Sequence, residues 1–182
     1  MNKVIVDVDS TLFGFDVPLY KLLVQMNVNI PIPSNWHKWC FWEDYMEESD
    51  FYKAVNSIHS NQLSYSPFSY ARELLQSLHR KGLYVVIASH RDNDQLGVLK
   101  KWLEIYDLYY DEIHVSHDKK ILFDENVKYL IDDCPETITY ALEKGIKCIS
   151  ILYSWNKQLI GTGIVFKKNL KEIYNMVKTG EM

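Results

Sequence analysis

The stretch that decides the fold is Val4-Ile5-Val6-Asp7-Val8-Asp9-Ser10-Thr11-Leu12, close to the start of the chain. Its three consecutive β-branched residues are typical of a short strand that is buried on both faces of a parallel sheet. Because side chains alternate along an extended backbone, Asp7 and Asp9 are expected to point to the same side at the strand end. Two carboxylates about 4 Å apart repel each other by roughly 4 kcal/mol at an effective dielectric of about 20. We therefore expect a cation beside them; the alternative is that both acids only cap a turn or helix.

Composition limits the classes to which the protein can belong. Its 182 residues suffice for one α/β domain with a modest insertion, and the net charge of -4 without a basic run argues against a nucleic acid polymer as partner. Cys40, Cys134 and Cys148 are too widely spaced to predict a disulfide framework or a zinc ribbon. No signal peptide or membrane-length apolar stretch is recognisable. We expect a cytoplasmic protein without a membrane partner, and the oligomeric state stays open, with a dimer as one possibility.

Residues 15–66 differ from the rest of the chain because their apolar positions have helical spacing and no clear strand appears among them. The pattern predicts helices over residues 17–27 and 51–58, with a break at Pro31-Ile32-Pro33. Aromatic residues make up 14% of the whole chain, and many of them lie in this segment. We interpret it as a small helical cap inserted after the first strand. Large aromatic side chains would also give such a segment its own core.

The remaining sequence alternates between helical and strand-like stretches. Ser66 and Pro67 are predicted to be the N-cap and first residue of a helix that ends at Gly82. Predicted strands cover residues 83–88, 112–115, 129–131, 147–153 and 164–166, and predicted helices cover residues 96–106, 136–144 and 169–177. This alternation predicts an α/β fold with a doubly wound, Rossmann-like parallel sheet. Residues 1–14 and 67–182 would form this core, and residues 15–66 the cap.

Each predicted strand delivers a polar group to the edge of the sheet where ligands of doubly wound folds bind. In chain order these groups are Asp7 with Asp9, Ser89, Lys119, and Asp132 with Asp133. A metal, a hydroxyl, an ammonium and carboxylates are the equipment of phosphoryl transfer, in which positioning and charge neutralisation provide most of the catalysis. Four acids against one lysine leave an excess of negative charge, and carboxylate ligands favour Mg²⁺.

These groups, in this order at strand ends, resemble the four motifs of the haloacid-dehalogenase-like (HAD) phosphohydrolases. The resemblance implies that Asp7 is the nucleophile that forms an aspartyl-phosphate, and that Asp9 is the general acid and base. It also implies that Ser89 holds a phosphoryl oxygen and that Lys119 neutralises Asp7 and the phosphate. Mg²⁺ would bind the Asp7 carboxylate, the Asp9 backbone carbonyl and one acid of the Asp132-Asp133 pair. We favour Asp133 as the direct ligand and Asp132 as its support.

Within that superfamily the sequence is most similar to the 5′(3′)-deoxyribonucleotidases, which remove phosphate from nucleoside monophosphates. The similarity lies in Leu130-Ile131-Asp132-Asp133-Cys134-Pro135, in Val115-Ser116-His117-Asp118-Lys119, in Phe15 and in Phe41-Trp42. It implies that Phe15, Phe41 and Trp42 surround the base and sugar, and that His90 also contacts the substrate. The sequence departs from the family at Ser10-Thr11, where the family has Gly-Val, and at Arg91, where it has Pro.

Two other functions are compatible with parts of the pattern. The same chemistry could serve a phosphosugar or another small metabolite, because fold and motifs determine the reaction better than the leaving group. A receiver-type signalling domain also combines an acidic pair, an acceptor Asp, a hydroxyl and a Lys on a doubly wound sheet. In receivers, however, the acidic pair precedes the acceptor, whereas Asp132-Asp133 comes last here, and a receiver needs no cap.

Overall fold

A six-stranded, entirely parallel sheet forms the centre of the computed structural model, which describes residues 1–26 and 29–182. In chain order the strands are β1 (Lys3–Val6), β2 (Tyr84–Ser89), β3 (Glu112–Val115), β4 (Val127–Ile131), β5 (Lys147–Ile151) and β6 (Val165–Lys167). Their spatial order is β3-β2-β1-β4-β5-β6, so the direction in which strands are added reverses between β1 and β4. The predicted fold class, a doubly wound parallel α/β sheet, is confirmed.

The central strand β1 is buried on both faces, as its composition predicts. Val4, Ile5 and Val6 are all 0% exposed. Val4 and Val6 belong to one hydrophobic cluster and Ile5 to another, because successive side chains leave the sheet on opposite sides. The site at the end of β1 therefore stands on a rigid strand with a packed layer on each face.

The helices also follow the predicted order. They are α1 (Asp16–Gln25), α2 (Glu48–Ser60), α3 (Ala71–Arg80), α4 (Leu96–Ile105), α5 (Pro135–Glu143) and α6 (Leu170–Thr179). The helix predicted over residues 17–27 corresponds to α1, and the predicted end at Asn27 lies outside the described residues. Between β1 and β2, all regular elements of the described residues are helices or short 3₁₀ turns. Among the helices of the described chain, none combines the length and the apolarity that a membrane crossing requires.

The predicted start of α3 is wrong. The helix begins at Ala71, and its N-cap is Tyr70, whose φ of 74° lies in the left-handed region, instead of Ser66 followed by Pro67. The backbone N–H of Phe68 donates to the carbonyl of Leu12 at 2.7 Å, which ties this segment to the loop after β1. This tertiary contact keeps the chain extended past Pro67, so the local capping signal is overridden.

The predicted end of β5 is also too late. The strand ends at Ile151, two residues before Tyr153, because the Tyr153 N–H donates to the side chain of Asn156 at 2.9 Å and starts a 3₁₀ turn. Asn156 is fully buried, and its Nδ2 donates to the carbonyl of Asp133 at 3.3 Å. The early turn therefore links the end of β5 to the acidic pair at the end of β4.

Candidate active site

The loop that follows β1 presents Asp7 and Asp9. Its tight turn is closed by the N–H of Leu12, which donates to the carbonyl of Val8 at 2.8 Å. Ser10 has a φ of 60°, a left-handed conformation that glycine adopts most easily. Tyr153 donates its hydroxyl to the carbonyl of Ser10 at 2.7 Å and so fixes the turn from the β5 side. The Gly expected at position 10 by resemblance thus corresponds to a real backbone requirement, which Ser10 meets with some strain.

Lys119 joins the ends of β1 and β4. Its ammonium donates to Asp7 Oδ1 at 2.5 Å and to Asp132 Oδ2 at 2.9 Å, and the side chain is only 6% exposed. Burial disfavours the ammonium, but the charges of Asp132 and Asp7 outweigh it and raise the pKa of Lys119 above its ordinary value. The structure therefore brings Lys119, Asp7 and Asp132 together, although more than a hundred residues separate Asp7 from Lys119 in the chain.

Asp132 and Asp133 have different surroundings. Both oxygens of Asp132 have partners, because Oδ2 accepts from Lys119 and Oδ1 accepts from the N–H of Cys134 at 2.8 Å. Asp133 accepts from Trp155 Nε1 at 3.0 Å through Oδ2. Its Oδ1 has no hydrogen bond to the described residues. Asp133 Oδ1 is thus open to a ligand, and the assignment of Asp133 as direct metal ligand with Asp132 as its support stays a prediction.

The carboxylates of Asp7, Asp132 and Asp133 each offer an oxygen within 4.8 Å of the others, and all three residues are buried. Burial, together with the charges of Asp132 and Asp9, raises the pKa of Asp7 to about 7 despite the nearby Lys119. Burial and the charges of Asp7 and Asp132 also raise the pKa of Asp133 well above its ordinary value. Within the described chain, Asp7 Oδ2 is buried without a hydrogen-bond partner. An all-oxygen set with an unsatisfied carboxylate oxygen and excess negative charge fits Mg²⁺.

Asp9 has two partners that the sequence analysis did not identify. His59 Nε2, from α2, lies 3.0 Å from Asp9 Oδ2, and the guanidinium of Arg91 donates to Asp9 Oδ1 at 3.1 Å. Burial opposes the charge on Asp9, but His59 and Arg91 outweigh it and hold the pKa of Asp9 well below its usual range. A carboxyl that donates a proton must first carry one, so an acid role for Asp9 requires these contacts to change when substrate binds.

The expected charge balance is therefore corrected. Four acids facing a single lysine do not describe the site, because the guanidinium of Arg91 pairs with Asp9 and leaves Asp7, Asp132 and Asp133 around Lys119. The departure from the family's Pro at Arg91 was a usable signal, since a buried cation two residues after Ser89 must find an acid. His59 carried no comparable signal, because nothing in residues 51–58 and their flanks distinguishes it from a core histidine.

Ser89 lies behind Asp9. Its hydroxyl donates to Asp9 Oδ2 at 3.2 Å and accepts from Arg91 Nε at 2.7 Å, and the residue is 0% exposed. It is not among the residues that line the cavity above the carboxylates. Its predicted contact with a phosphoryl oxygen stays a prediction, and the contact that the structure has is with Asp9.

A cavity opens from the carboxylates toward the helices that follow β1. Of the site residues expected from sequence, those that line it are Asp7, Asp9, Phe15, Phe41, Trp42, His90, Lys119 and Asp133. Five aromatic residues that the sequence analysis did not single out line it as well: Trp36, Trp39, Phe51, Tyr52 and Trp155. Trp36 stacks on Phe41 with ring centroids 3.8 Å apart, and Trp42 stacks on Phe51 at 5.0 Å. The cavity is thus charged at its inner end, and aromatic side chains form much of its remaining wall.

Two cavity residues have strongly shifted pKa values. Desolvation in the cavity wall, together with the charges of His117 and Lys119, lowers the pKa of His90 to about 4. Burial and the charge of Asp132 raise the pKa of the Cys134 thiol to about 12, so little of it is thiolate at neutral pH. His90 is therefore neutral at pH 7, and Cys134 is not a nucleophile.

Comparisons with known proteins agree on the fold. No family model matches the sequence, and no curated protein matches it. Among solved structures, a putative β-phosphoglucomutase from Thermotoga maritima superposes with a TM-score of 0.64 at 18% identity, covering 98% of this chain and 99% of that one. A HAD-superfamily hydrolase from Ehrlichia chaffeensis gives a TM-score of 0.55 at 20% identity, with 98% of both chains covered.

The chain has a HAD-like fold. A third HAD-like neighbour, the D,D-heptose 1,7-bisphosphate phosphatase from Burkholderia thailandensis, has a TM-score of 0.56 at 11% identity over 96% of this chain and 97% of its own. Identities this low carry the fold alone. Within this HAD-like fold, the buried carboxylates and Lys119 stand at the carboxyl ends of β1 and β4, where the strand order reverses and where doubly wound sheets bind ligands.

Proposed function

We propose that the chain is a Mg²⁺-dependent phosphomonoesterase that hydrolyses nucleoside 5′-monophosphates, with deoxyribonucleotides as the preferred class, through an aspartyl-phosphate on Asp7. The observation that carries the proposal is the cavity itself. At its inner end Asp7 is held by Lys119, beside the buried carboxylates of Asp132 and Asp133. Its remaining walls are largely aromatic.

The roles of the inner residues follow from their contacts. Asp7 is the nucleophile: it attacks phosphorus, and the bond to the leaving oxygen breaks. Lys119 holds Asp7 in place and neutralises charge on the phosphoryl group. Asp9 donates a proton to the leaving oxygen and later accepts one from the water that hydrolyses the aspartyl-phosphate. In the free protein Ser89 and Arg91 hold Asp9 from behind, and its contacts to Arg91 and His59 must change when substrate binds so that Asp9 carries the proton it donates.

The metal would be held by the carboxylates of Asp7 and Asp133 and by the backbone carbonyl of Asp9, with Asp132 as support. When bound, Mg²⁺ supplies charge neutralisation of the phosphoryl oxygens. The protein's own contribution is to keep Asp7 oriented. Asp132 orients Asp7 indirectly. It accepts one hydrogen bond from the Lys119 ammonium at 2.9 Å, and the same ammonium donates a second one to Asp7.

The aromatic walls favour a substrate whose leaving group is flat and weakly polar. Trp42 and Phe51 are partly buried and stack on each other, and such rings offer edges and faces of the kind that bind a nucleobase. Trp36 and Phe41, only 3% and 7% exposed, stack on each other as part of the hydrophobic core. Phe15, whose ring lies 5.4 Å from that of His59, continues the wall toward Asp9. We propose that residues 15–66, which supply all of these side chains, act as a cap over the α/β core.

A phosphosugar or other small metabolite is the second candidate substrate. Structures similar to this fold include a putative β-phosphoglucomutase and a heptose bisphosphate phosphatase, which supports sugar phosphates as a class to test. The largely aromatic lining favours the nucleotide. A cytoplasmic location and a dimeric state stay predictions.

A phosphate-release screen tests the proposal. Purified protein is incubated with deoxyribonucleotides, ribonucleotides and sugar phosphates, with Mg²⁺ or with EDTA. We expect release from nucleotides that requires Mg²⁺ and that falls by several orders of magnitude in Asp7→Asn. Asp124→Asn is the matched control, since Asp124 is an exposed partner of Lys3 far from the cavity. Near-normal release by Asp7→Asn would contradict the nucleophile, and release from sugar phosphates alone would select the second candidate.

A further inference from the structure

Three side chains form a hydrogen-bonded chain at the rim of the cavity. Asp92 Oδ1 lies 2.7 Å from His117 Nε2, and His117 Nδ1 lies 2.8 Å from His90 Nε2. Asn56, from α2, donates to the other Asp92 oxygen at 3.2 Å. Of the three residues, only His90 lines the cavity, where Lys119 is also found. These three hydrogen-bonded side chains, the triad, therefore extend from the outer surface to the wall of the proposed active site.

The direction of these hydrogen bonds follows from Asp92. The hydrogen bond from His117 lowers the pKa of Asp92, so Asp92 is an ionised acceptor and His117 Nε2 must donate to it. When His117 is neutral, its Nδ1 carries no proton and accepts from His90 Nε2–H. His90 is then left with an unprotonated Nδ1. No hydrogen bond to this atom occurs within residues 1–26 and 29–182.

We propose that Asp92 and His117 are positioning residues that hold His90 as the Nε2–H tautomer, so that its Nδ1 accepts a hydrogen bond from a hydroxyl of the leaving alcohol. The proposal rests on the phosphomonoesterase function and adds a determinant of specificity to it. Lys119 offers only donors to a substrate, whereas a neutral imidazole nitrogen offers a lone pair. The wall at His90 is thus suited to a substrate with a hydroxyl near the ester, such as a sugar.

The expected effect is moderate. The side chains of His117 and Asp92 are 57% and 47% exposed, so water competes for their hydrogen bonds. A single neutral hydrogen bond to a hydroxyl corresponds to about a 3- to 10-fold preference in kcat/KM. We therefore expect a change in discrimination between substrates, with the general rate of hydrolysis less affected.

The kinetic test compares a 2′-deoxynucleoside 5′-monophosphate with its 2′,3′-dideoxy analogue, which lacks the 3′-hydroxyl. The wild-type protein should prefer the hydroxylated substrate by about 3- to 10-fold in kcat/KM. This ratio should approach one in His90→Phe and should fall in His117→Phe. It should not change in His79→Phe, because His79 packs against Tyr109 outside the cavity. Equal ratios in all four proteins would overturn the proposal.

A spectroscopic test needs no turnover. The protein has six histidines, which single variants assign in ¹⁵N-resolved NMR spectra at pH 8.5. We expect His90 and His117 to be protonated at Nε2 in their ¹⁵N chemical shifts, and we expect His90 to become a mixture of both tautomers in His117→Phe, because the acceptor of its Nε2 proton is lost. Protonation of His90 at Nδ1, or unchanged tautomer populations of His90 in His117→Phe, would overturn the positioning role.

The two tests separate the proposal from the function on which it rests. A protein that hydrolyses no phosphate ester but has His90 protonated at Nε2 would refute the phosphomonoesterase function, while the hydrogen-bonded triad would stand. An active enzyme in which His90 is not held as the Nε2–H tautomer would refute the positioning role alone.

Discussion

At the scale of single residues, buried cations hold the carboxylates of the site: Lys119 joins Asp7 to Asp132, and Arg91 joins Asp9 to Ser89. Asp7, Asp9 and Lys119 could be predicted from the sequence because each follows a strand, and strand ends of a parallel sheet meet. His59 could not be assigned to Asp9 in the same way. Its side chain reaches Asp9 from α2, and the distance between α2 and the end of β1 depends on packing that no local pattern encodes. Arg91 could have been assigned, because it follows β2, the neighbour of β1 in the sheet.

Ser10 provides a first test at this scale. Its φ of 60° costs a non-glycine residue about 1 kcal/mol, so Ser10→Gly should raise the free energy of unfolding by up to about 1 kcal/mol, reduced by the greater freedom of glycine in the unfolded chain. Ser10→Ala keeps the Cβ and should bring no gain. Urea denaturation followed by circular dichroism measures both. If Ser10→Gly and Ser10→Ala change the free energy of unfolding by the same amount, the turn is not strained.

Arg91 provides a second test. Replacement by Met leaves Asp9, Ser89 and Gln62 without a partner they share, and we expect a loss of about 3–5 kcal/mol in the free energy of unfolding. Arg72→Met removes an exposed ion pair with Asp107 and should cost less than about 1 kcal/mol. If thermal unfolding shows similar small losses for both variants, the buried network does not stabilise the fold as described.

At the scale of elements, the strands and helices were predicted well and their ends less well. β3 was predicted with its observed bounds, because the run Glu112–Val115 is short and flanked by polar residues. The start of α3 and the end of β5 were misplaced. The first depends on the hydrogen bond from Phe68 to Leu12, and the second on the hydrogen bond from Tyr153 to Asn156. Such tertiary contacts cannot be read from local sequence, whereas periodic apolar patterns can.

The start of the last helix, α6, is determined by a local hydrogen bond and can be tested. Asn169 caps α6 by accepting from the N–H of Glu172 at 3.1 Å, so Asn169→Ala should lower the free energy of unfolding by about 1 kcal/mol. Asn175→Ala, in the middle of the same helix and exposed, should be neutral or slightly stabilising. Denaturant midpoints compare the two. If both substitutions have an equal effect, the Asn169 side chain does not stabilise the start of α6.

At the scale of the whole molecule, the site combines two parts of the chain. The sheet and the segments that follow its strands provide the carboxylates, Lys119 and Trp155, and residues 15–66 provide the other aromatic side chains of the wall and His59. The resemblance to the nucleotidases implied that aromatic residues of the inserted segment and the strand-end residues contact the same substrate. The same resemblance named Phe15, Phe41 and Trp42, which all line the cavity. The other lining aromatics were not predicted, since core and cavity aromatics have the same composition and spacing.

Trp42 tests whether this combined cavity recognises a base. Trp42→Leu should raise KM for a nucleotide by several-fold and leave KM for a small aryl phosphate much less changed, because only the nucleotide reaches the stacked pair that Trp42 forms with Phe51. Tyr45→Leu is the control, as Tyr45 is exposed and does not line the cavity. A proportional rise for both substrates would place Trp42 outside the base site.

The account depends most directly on phosphoryl transfer to Asp7. We suggest exposing the protein to substrate and Mg²⁺, quenching with acid within a single turnover, and locating the added phosphoryl group by peptide mass spectrometry. The account predicts one phosphoryl group on the peptide that contains Asp7, and none in Asp7→Asn. A phosphoryl group on a different residue, or turnover by Asp7→Asn, would contradict it.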